Sequence, residues 1–356
     1  MKLKTIAEAL LNEASSVAQL RAALNAFSQL CSDVGGVVPN PSFSAWADDS
    51  LLKDGVAISP EAAAHCVNDS QRTVVFIRAA YAAITAAKQR FANGPIEVLY
   101  AGCGPFATLL LPLLANFRPG ELVVHLLDIH QRSLDSVALL IRHFDLEGHR
   151  ISYVKDDACH YQHSSNPHVI IAETMQKSLE QEPQFAVTAN LAPQLHARGI
   201  FIPQKIEVSL CLAKLEAERA ALQQGDALDP NALQAAGERH ALATVLSLTP
   251  EHAVTLRQQA LQNSHGSLEL NPIHVTLPAI TNLNTFDAVL FTRIQAFEQH
   301  RLLDYESEIT LPLRCNEFTP LKAGEQYRVG LQIGSYPKFC ITQMEDEYVL
   351  PSDDLD

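Results

Sequence analysis

At Ile96 the hydrophobic period of this chain changes, and that change dictates what it can fold into. Upstream, Ile6, Leu10, Leu11, Val17, Leu20 and Leu24 recur near every 3.6 residues, as do Val74, Ile77, Tyr81 and Ile84, which predicts helices. Gly35-Gly36, Pro39, Pro41 and Asp48-Asp49 punctuate a loop between them, and Ser59-Pro60-Glu61 predicts a helix start with a serine cap. From Ile96 onward, short apolar runs (Ile96 to Tyr100, Leu122 to Leu127, Ile151 to Val154, His168 to Ala172) alternate with helical stretches (Phe106 to Asn116, Ser133 to Phe144, Gln184 to Arg198). Parallel strands cannot be joined by tight turns and need a crossover, so this alternation predicts a doubly wound α/β core around a parallel sheet.

After Lys205 the pattern changes again. Ala213 to Gln224 and Ala232 to Gln262 read as helix, while Ile273 to Thr276, Ala288 to Ile294, Glu308 to Leu313 and Tyr327 to Ile333 read as strands. The expected organisation is an N-terminal helical region (1–94), a Rossmann-like domain (95–205) and a C-terminal β-rich lobe (206–356) with a helical insertion at about 213–262. Glu345 to Asp356 is an acidic tail expected to fray.

Composition narrows the partners. A net charge of −14 opposes a nucleic-acid backbone, which needs clustered Lys and Arg, and suits a cationic substrate better. No apolar run reaches bilayer length and the N-terminus lacks a secretory pattern, so the expectation is a cytoplasmic protein with no membrane partner. Seven scattered cysteines without a CxxC pair read as free thiols, and no metal is expected.

The chemistry-bearing residues fall at the tips of the expected strands. Gly102-Cys103-Gly104 follows the first apolar run, where residues without a Cβ admit close approach of a ligand. The second run ends in Asp128, about 25 residues on, placed to accept the hydroxyls of a ribose. The third is followed by Asp156-Asp157-Ala158, where a carboxylate and the next backbone N–H suit an adenine edge. A structural turn explains the glycines alone, and a helix cap explains Asp128 alone.

In this order the three tips resemble the class I methyltransferases, which implies a Rossmann-like class I methyltransferase core and S-adenosyl-L-methionine as cofactor, held by Gly102, Cys103, Gly104, Asp128, Asp157 and Ala158. A narrower resemblance is to the protein arginine methyltransferases. Ala172-Glu173-Thr174-Met175, with Glu182 nine residues after Glu173, is similar to their double-glutamate loop. Gly199 to Lys205 resembles their G-x-x-F/I-P-[DQ]-[RK] strand. Asn68 to Phe76 resembles their D-x-x-R-T-x-x-Y helix, implying that Arg72 binds the cofactor carboxylate. The resemblance implies that Glu173 and Glu182 are catalytic and that they bind substrate together with Met175. The two carboxylates are expected to grip a planar guanidinium without a strongly perturbed general base, turning one nitrogen toward the sulfonium methyl and, if both stay ionised, stabilising the charge that passes to the substrate.

The departures are plain. The acid common two places before the first glycine is Tyr100, the residue after Met175 is Gln176 instead of glycine, and no Thr-His-Trp loop occurs, Trp46 being the only tryptophan. A small guanidino molecule is therefore expected over a protein tail. A homodimer is implied if the stretch 213–262 is the family's dimerisation arm; the alternative is a lid. The runner-up functions are a small-molecule O- or N-methyltransferase and a non-catalytic cofactor-binding scaffold. Cys159-His160-Tyr161-Gln162-His163 reads as a surface loop, and His300 as a surface residue in a helix.

Overall fold

The computed structural model describes residues 2–40, 49–224, 230–262 and 268–344. Trp46, Pro41 and the acidic tail lie outside them. Helices α1 (Leu3–Leu11) and α2 (Val17–Gly35) come first, α2 opening on a capping box in which the Ser16 hydroxyl and the Gln19 side chain each take the other's backbone N–H. The stretch read as loop contains a small hairpin, β1 (Ser50–Leu51) and β2 (Val56–Ala57), before α3 (Pro60–His65) and α4 (Ser70–Arg90). As expected, Ser59 caps α3 by accepting the Ala62 N–H, with Pro60 at the first helical position.

The core sheet holds β3 (Ile96–Ala101), β4 (Leu122–Asp128), β5 (Arg150–Lys155), β6 (Val169–Ala172) and β7 (Ile200–Ile202), all parallel, in the order β5-β4-β3-β6-β7. Order reverses beside the central β3, the place where open α/β sheets leave a crevice at the carboxyl ends of their strands. Successive residues feed different cores. Val98, Tyr100, Val124 and Leu126 join the large core, and Leu99, Ala101 and Leu127 join a second one. Burial on both faces explains why these strands read as continuous apolar runs. The crossovers include α5 (Leu111–Leu114), α6 (Gln131–His143) and α7 (Gln184–Leu191). Two are shorter than their sequence suggested. Ala107 has a φ of 41° and Leu110 also departs from helical geometry, so only Leu111–Leu114 of Phe106 to Asn116 is helical. Pro193 closes the helix from Gln184 in a single 3₁₀ turn instead of letting it reach Arg198.

Beyond β7 the chain is β-rich. β8 (Lys205–Ala213) leads to α8 (Leu215–Gln224), α9 (Pro230–Ala236), β9 (His240–Leu248), α10 (Pro250–Gln258) and β10 (Leu261–Gln262). Then follow β11 (Leu268–Thr276), β12 (Asp287–Phe297), β13 (His300–Leu302), β14 (Leu313–Arg314), β15 (Gln326–Ile333) and β16 (Lys338–Gln343). Two antiparallel sheets result, β13-β12-β8-β9 with β14 on β12, and β10-β11-β15-β16. The expected helix through 232–262 is interrupted, because His240–Leu248 pairs with β8 and buries Val245, Leu246 and Leu248. Ala and Leu carry helix propensity, and cross-strand packing overrides it here. Glu308–Thr310 is a 3₁₀ turn instead of a strand, and His300 begins β13 instead of sitting in a helix. A buried ionic network ties α8 to this lobe. Arg239 bridges Glu218 and Asp304, Arg293 also pairs with Asp304, and the Tyr305 hydroxyl donates to Glu218.

Candidate functional site

The carboxyl ends of β3, β4 and β6 lie level, since Ala101 pairs with both Leu127 and Ala172. The chain leaves β3 through Gly102 and Gly104, at φ of 66° and 62°, conformations that cost other residues steric strain. A Cβ on Gly102 would meet Thr174 Cγ2 at 2.5 Å, so glycine is required there by space as well as by dihedral. The Gly102 and Cys103 N–H groups donate to the Leu127 carbonyl at 2.9 and 3.2 Å. Asp128 Oδ2 accepts from the Gly104 N–H and Oδ1 from the His130 N–H, each at 2.8 Å. Asp128 thus knits two strand tips together, and each of its oxygens retains a further lone pair. After β5, Asp157 Oδ1 accepts from the Cys159 N–H at 2.9 Å, and Asn190 donates to the Ala158 carbonyl at 2.9 Å.

Arg72 approaches from the first turn of α4, whose cap Asp69 accepts the Arg72 N–H and is held in turn by the Ser307 hydroxyl and the Glu308 N–H. The Arg72 guanidinium forms an ion pair with Glu173 Oε2, while Glu173 Oε1 is buried with no hydrogen-bond partner among the described residues. The segment from Glu173 to Glu182 is tightly constrained. Gln184 accepts from the Thr174 N–H at 2.9 Å and donates to the Ala172 carbonyl at 3.0 Å. Ser178, Leu179 and Gln181 all adopt positive φ without being glycine. Such strain persists only where surroundings over-determine it. Here the Ser178 N–H donates to Thr292, the Gln181 N–H to the Pro337 carbonyl, and the Val56 N–H to the Gln181 carbonyl. The C-terminal lobe and the β1–β2 hairpin therefore set the conformation that brings Glu182 inward.

One cavity, open to solvent, gathers these groups. Arg72, Gly102, Cys103, Gly104, Asp128, Asp157, Ala158, Glu173 and Glu182 all line it. Met175 does not: it is buried in the large apolar core, so the substrate contact expected of it is corrected to a packing role. Tyr100, at the position where an acid was absent, also lines the cavity, and burial holds its hydroxyl well above the ordinary range. The expectation of a clamp without a strongly perturbed acid is altered as well. Burial pushes the Glu182 carboxyl up to about 8 against the opposing pull of Arg72, and burial raises Glu173 also. Burial raises the Cys103 thiol far above its usual value, which leaves no thiolate there to act as nucleophile.

Several lining residues escaped the sequence reading, among them Leu52, Val56, Ile58 and Cys66. The available signal was Asp54-Gly55 between the apolar pairs Leu51-Leu52 and Val56-Ala57, a hairpin pattern inside the presumed loop.

No family model matches the chain, and no curated protein matches it in sequence. Solved structures that the chain resembles include protein arginine methyltransferase 10 of Arabidopsis thaliana in an open conformation, at 11% identity and a TM-score of 0.45 over 75% of this chain and 86% of that one. Another is the Trypanosoma brucei PRMT1 enzyme-prozyme heterotetrameric complex with AdoHcy, at 12% identity and a TM-score of 0.44 over 79% of this chain and 96% of that one. At these values the likeness decides neither family nor activity, and the functional reading rests on the cavity.

Proposed function

We propose that this protein is an S-adenosyl-L-methionine-dependent N-methyltransferase acting on a guanidino group, with a small guanidino molecule favoured over a protein tail. One observation carries the reading: the Glu173 and Glu182 side chains, both largely shielded from solvent, line the same cavity as the glycine turn, Asp128 and Asp157. The cavity fits the cofactor on two counts. The Gly102 turn offers backbone where a Cβ would collide with Thr174, and Asp128 and Asp157 supply acceptors suited to hydroxyl and amino donors. Asp128, Asp157 and the glycine turn would hold the nucleoside, with Arg72 toward the carboxylate. When bound, the cofactor supplies an electrophilic methyl on a sulfonium.

The remaining chemistry belongs to this chain. Glu173 Oε2 pairs with the Arg72 guanidinium, and its Oε1, with no hydrogen-bond partner among the described residues, is the atom left to receive a substrate N–H. A guanidinium is planar with forked donors and stays charged, so two carboxylates fix its plane and draw positive charge away from the free nitrogen. A cation beside Glu182 favours the ionised carboxylate, reversing the effect of burial. Cytoplasmic location and homodimerisation belong to the same proposal.

The test is transfer of a labelled methyl group to a panel of guanidino compounds and arginine-containing peptides. A labelled guanidino product is expected, with Glu173→Gln and Glu182→Gln each lowering turnover on the order of 10² to 10³-fold while cofactor affinity stays near normal. Methylation confined to hydroxyls or carboxylates would defeat the guanidine reading, and absence of cofactor binding would defeat the whole proposal.

A further inference from the structure

The amino-terminal half of the core sheet carries polar residues where a doubly covered parallel sheet should be apolar. Glu97 lies on the central strand β3, and His125 lies on its neighbour β4. The register pairs Leu99 with His125 and Glu97 with Val123, so Glu97 and His125 are diagonal neighbours on one face. His163 reaches the same point from the crossover between β5 and β6. Its side chain is only 1% exposed, so the stretch read as a surface loop is partly interior. Buried Cys159 belongs to the same correction.

Glu97 Oε1 receives three contacts, from His125 Nε2 at 3.0 Å, His163 Nε2 at 3.2 Å and Ser165 Oγ at 2.6 Å. Three donors on one oxygen exceed its two lone pairs. The two imidazole nitrogens and this carboxylate oxygen all lie within 4.8 Å of one another, the one such His and carboxylate group among the described residues. Ligands about 2.0–2.2 Å from a tetrahedral ion are themselves roughly 3.3–3.6 Å apart. Opening the cluster by a few tenths of an ångström therefore makes room for one. The other imidazole nitrogens are also engaged: His125 Nδ1 lies 2.7 Å from the Ser152 hydroxyl and His163 Nδ1 lies 2.7 Å from the Tyr161 hydroxyl. Metal-bound histidines characteristically have such an outer partner fixing ring orientation and tautomer.

We propose that Glu97, His125 and His163 form a binding site for a divalent transition metal ion of the zinc class, with a fourth position open to water. The donor set is two imidazoles and a carboxylate, which suits zinc over calcium or magnesium. Protons balance without release. In neutral imidazoles the proton leaves Nε2 for Nδ1, from which it donates to Ser152 Oγ and Tyr161 Oη, and the freed Nε2 lone pairs face the ion. Glu97 and His125 are about one-fifth exposed, which provides an entry path.

The placement gives the ion a structural task. Glu97 sits four residues before Ala101, so the site lies roughly 13 Å from the carboxyl-end cavity and is separate from the proposed methyl transfer. His163 shares its crossover with Asp157 and Ala158 of the cavity wall, and α7 with the 3₁₀ turn after it braces that segment: Asn190 and Gln194 donate to the Tyr161 carbonyl, and the His163 N–H donates to Gln194. An ion at its foot anchors the segment to β3 and β4.

The test uses the whole chain, stripped with a chelator and titrated with cobalt(II), then zinc(II). One equivalent of cobalt is expected to give visible absorption of a nitrogen and oxygen ligand set, without the near-ultraviolet band of thiolate ligation, and zinc is expected to displace it. The thermal midpoint should rise with zinc concentration. His163→Gln should abolish the stoichiometric site. Tyr161→Phe, which keeps the fold and all three ligands, should weaken affinity about 10- to 100-fold. Failure of the wild-type chain to bind an equivalent, a thiolate band, or unchanged affinity in both variants would overturn the proposal.

Discussion

Replacing Glu182 by glutamine isolates the effect of burying a carboxyl among Arg72, Glu173, Gln176 and Asp49. Burial displaces this acid from an ordinary 4.5 to about 8. The native state therefore holds a proton that the unfolded chain releases, and between those values the wild type loses stability as pH rises, by about 1.4 kcal/mol per pH unit. The full difference is on the order of 5 kcal/mol, an upper value because water entering the cavity would relieve part of it. Glutamine keeps the size and polarity of the protonated acid and cannot ionise. Glu182→Gln should therefore match the wild type near pH 4.5, gain on it steadily through neutral pH, and hold a constant advantage above about pH 8. Urea unfolding of both proteins at pH 5, 7 and 9 reads this directly, and other titrations common to both cancel in the difference. A difference that stays the same from pH 5 to 9 would refute the reasoning, because it would mean that Glu182 is ionised or solvated throughout.

Gly102→Ala should destabilise the fold by about 2–4 kcal/mol, combining a left-handed φ with a Cβ driven into Thr174, and unchanged melting would contradict that geometry. Arg72→Ala leaves Glu173 without its cation and should cost about 3–5 kcal/mol, much of it recovered in the double variant with Glu173→Gln; a cycle showing no coupling between the two would remove the ion pair from the account. Asp128→Ala should weaken S-adenosylhomocysteine binding by about 1.5–3 kcal/mol in calorimetry, and wild-type affinity would show that Asp128 serves only its own turn. Asp304→Ala leaves Arg239 paired with Glu218 and returns the half-exposed Arg293 to water, so it should lower stability by about 1–3 kcal/mol through the lost charge-assisted hydrogen bonds, and a neutral result would mean that the network is solvated.

What the sequence determined by itself was whatever depends on local period and on residue type at strand ends. The parallel core from Ile96, the glycine turn, Asp128, Asp157 and the Ser59–Pro60 cap were legible because a doubly covered strand must be apolar on both faces and because a turn or cap needs particular side chains within a few residues. The acidic pair was legible as spacing alone. Tertiary structure decided the rest. His240–Leu248 became a strand because β8 lay beside it, and Met175 went to the core while Glu173 and Thr174 just before it lined the cavity. Arg72 and Glu173 met across a sequence separation of 101 residues, and burial raised the Glu182 carboxyl against the pull of Arg72. The Glu97, His125 and His163 cluster was equally invisible in the sequence, since it requires the diagonal register of β3 and β4 and a crossover folded back beneath them. Local chemistry specifies elements and their tips, whereas the approach of distant side chains and the solvent they lose exist only once the chain has packed.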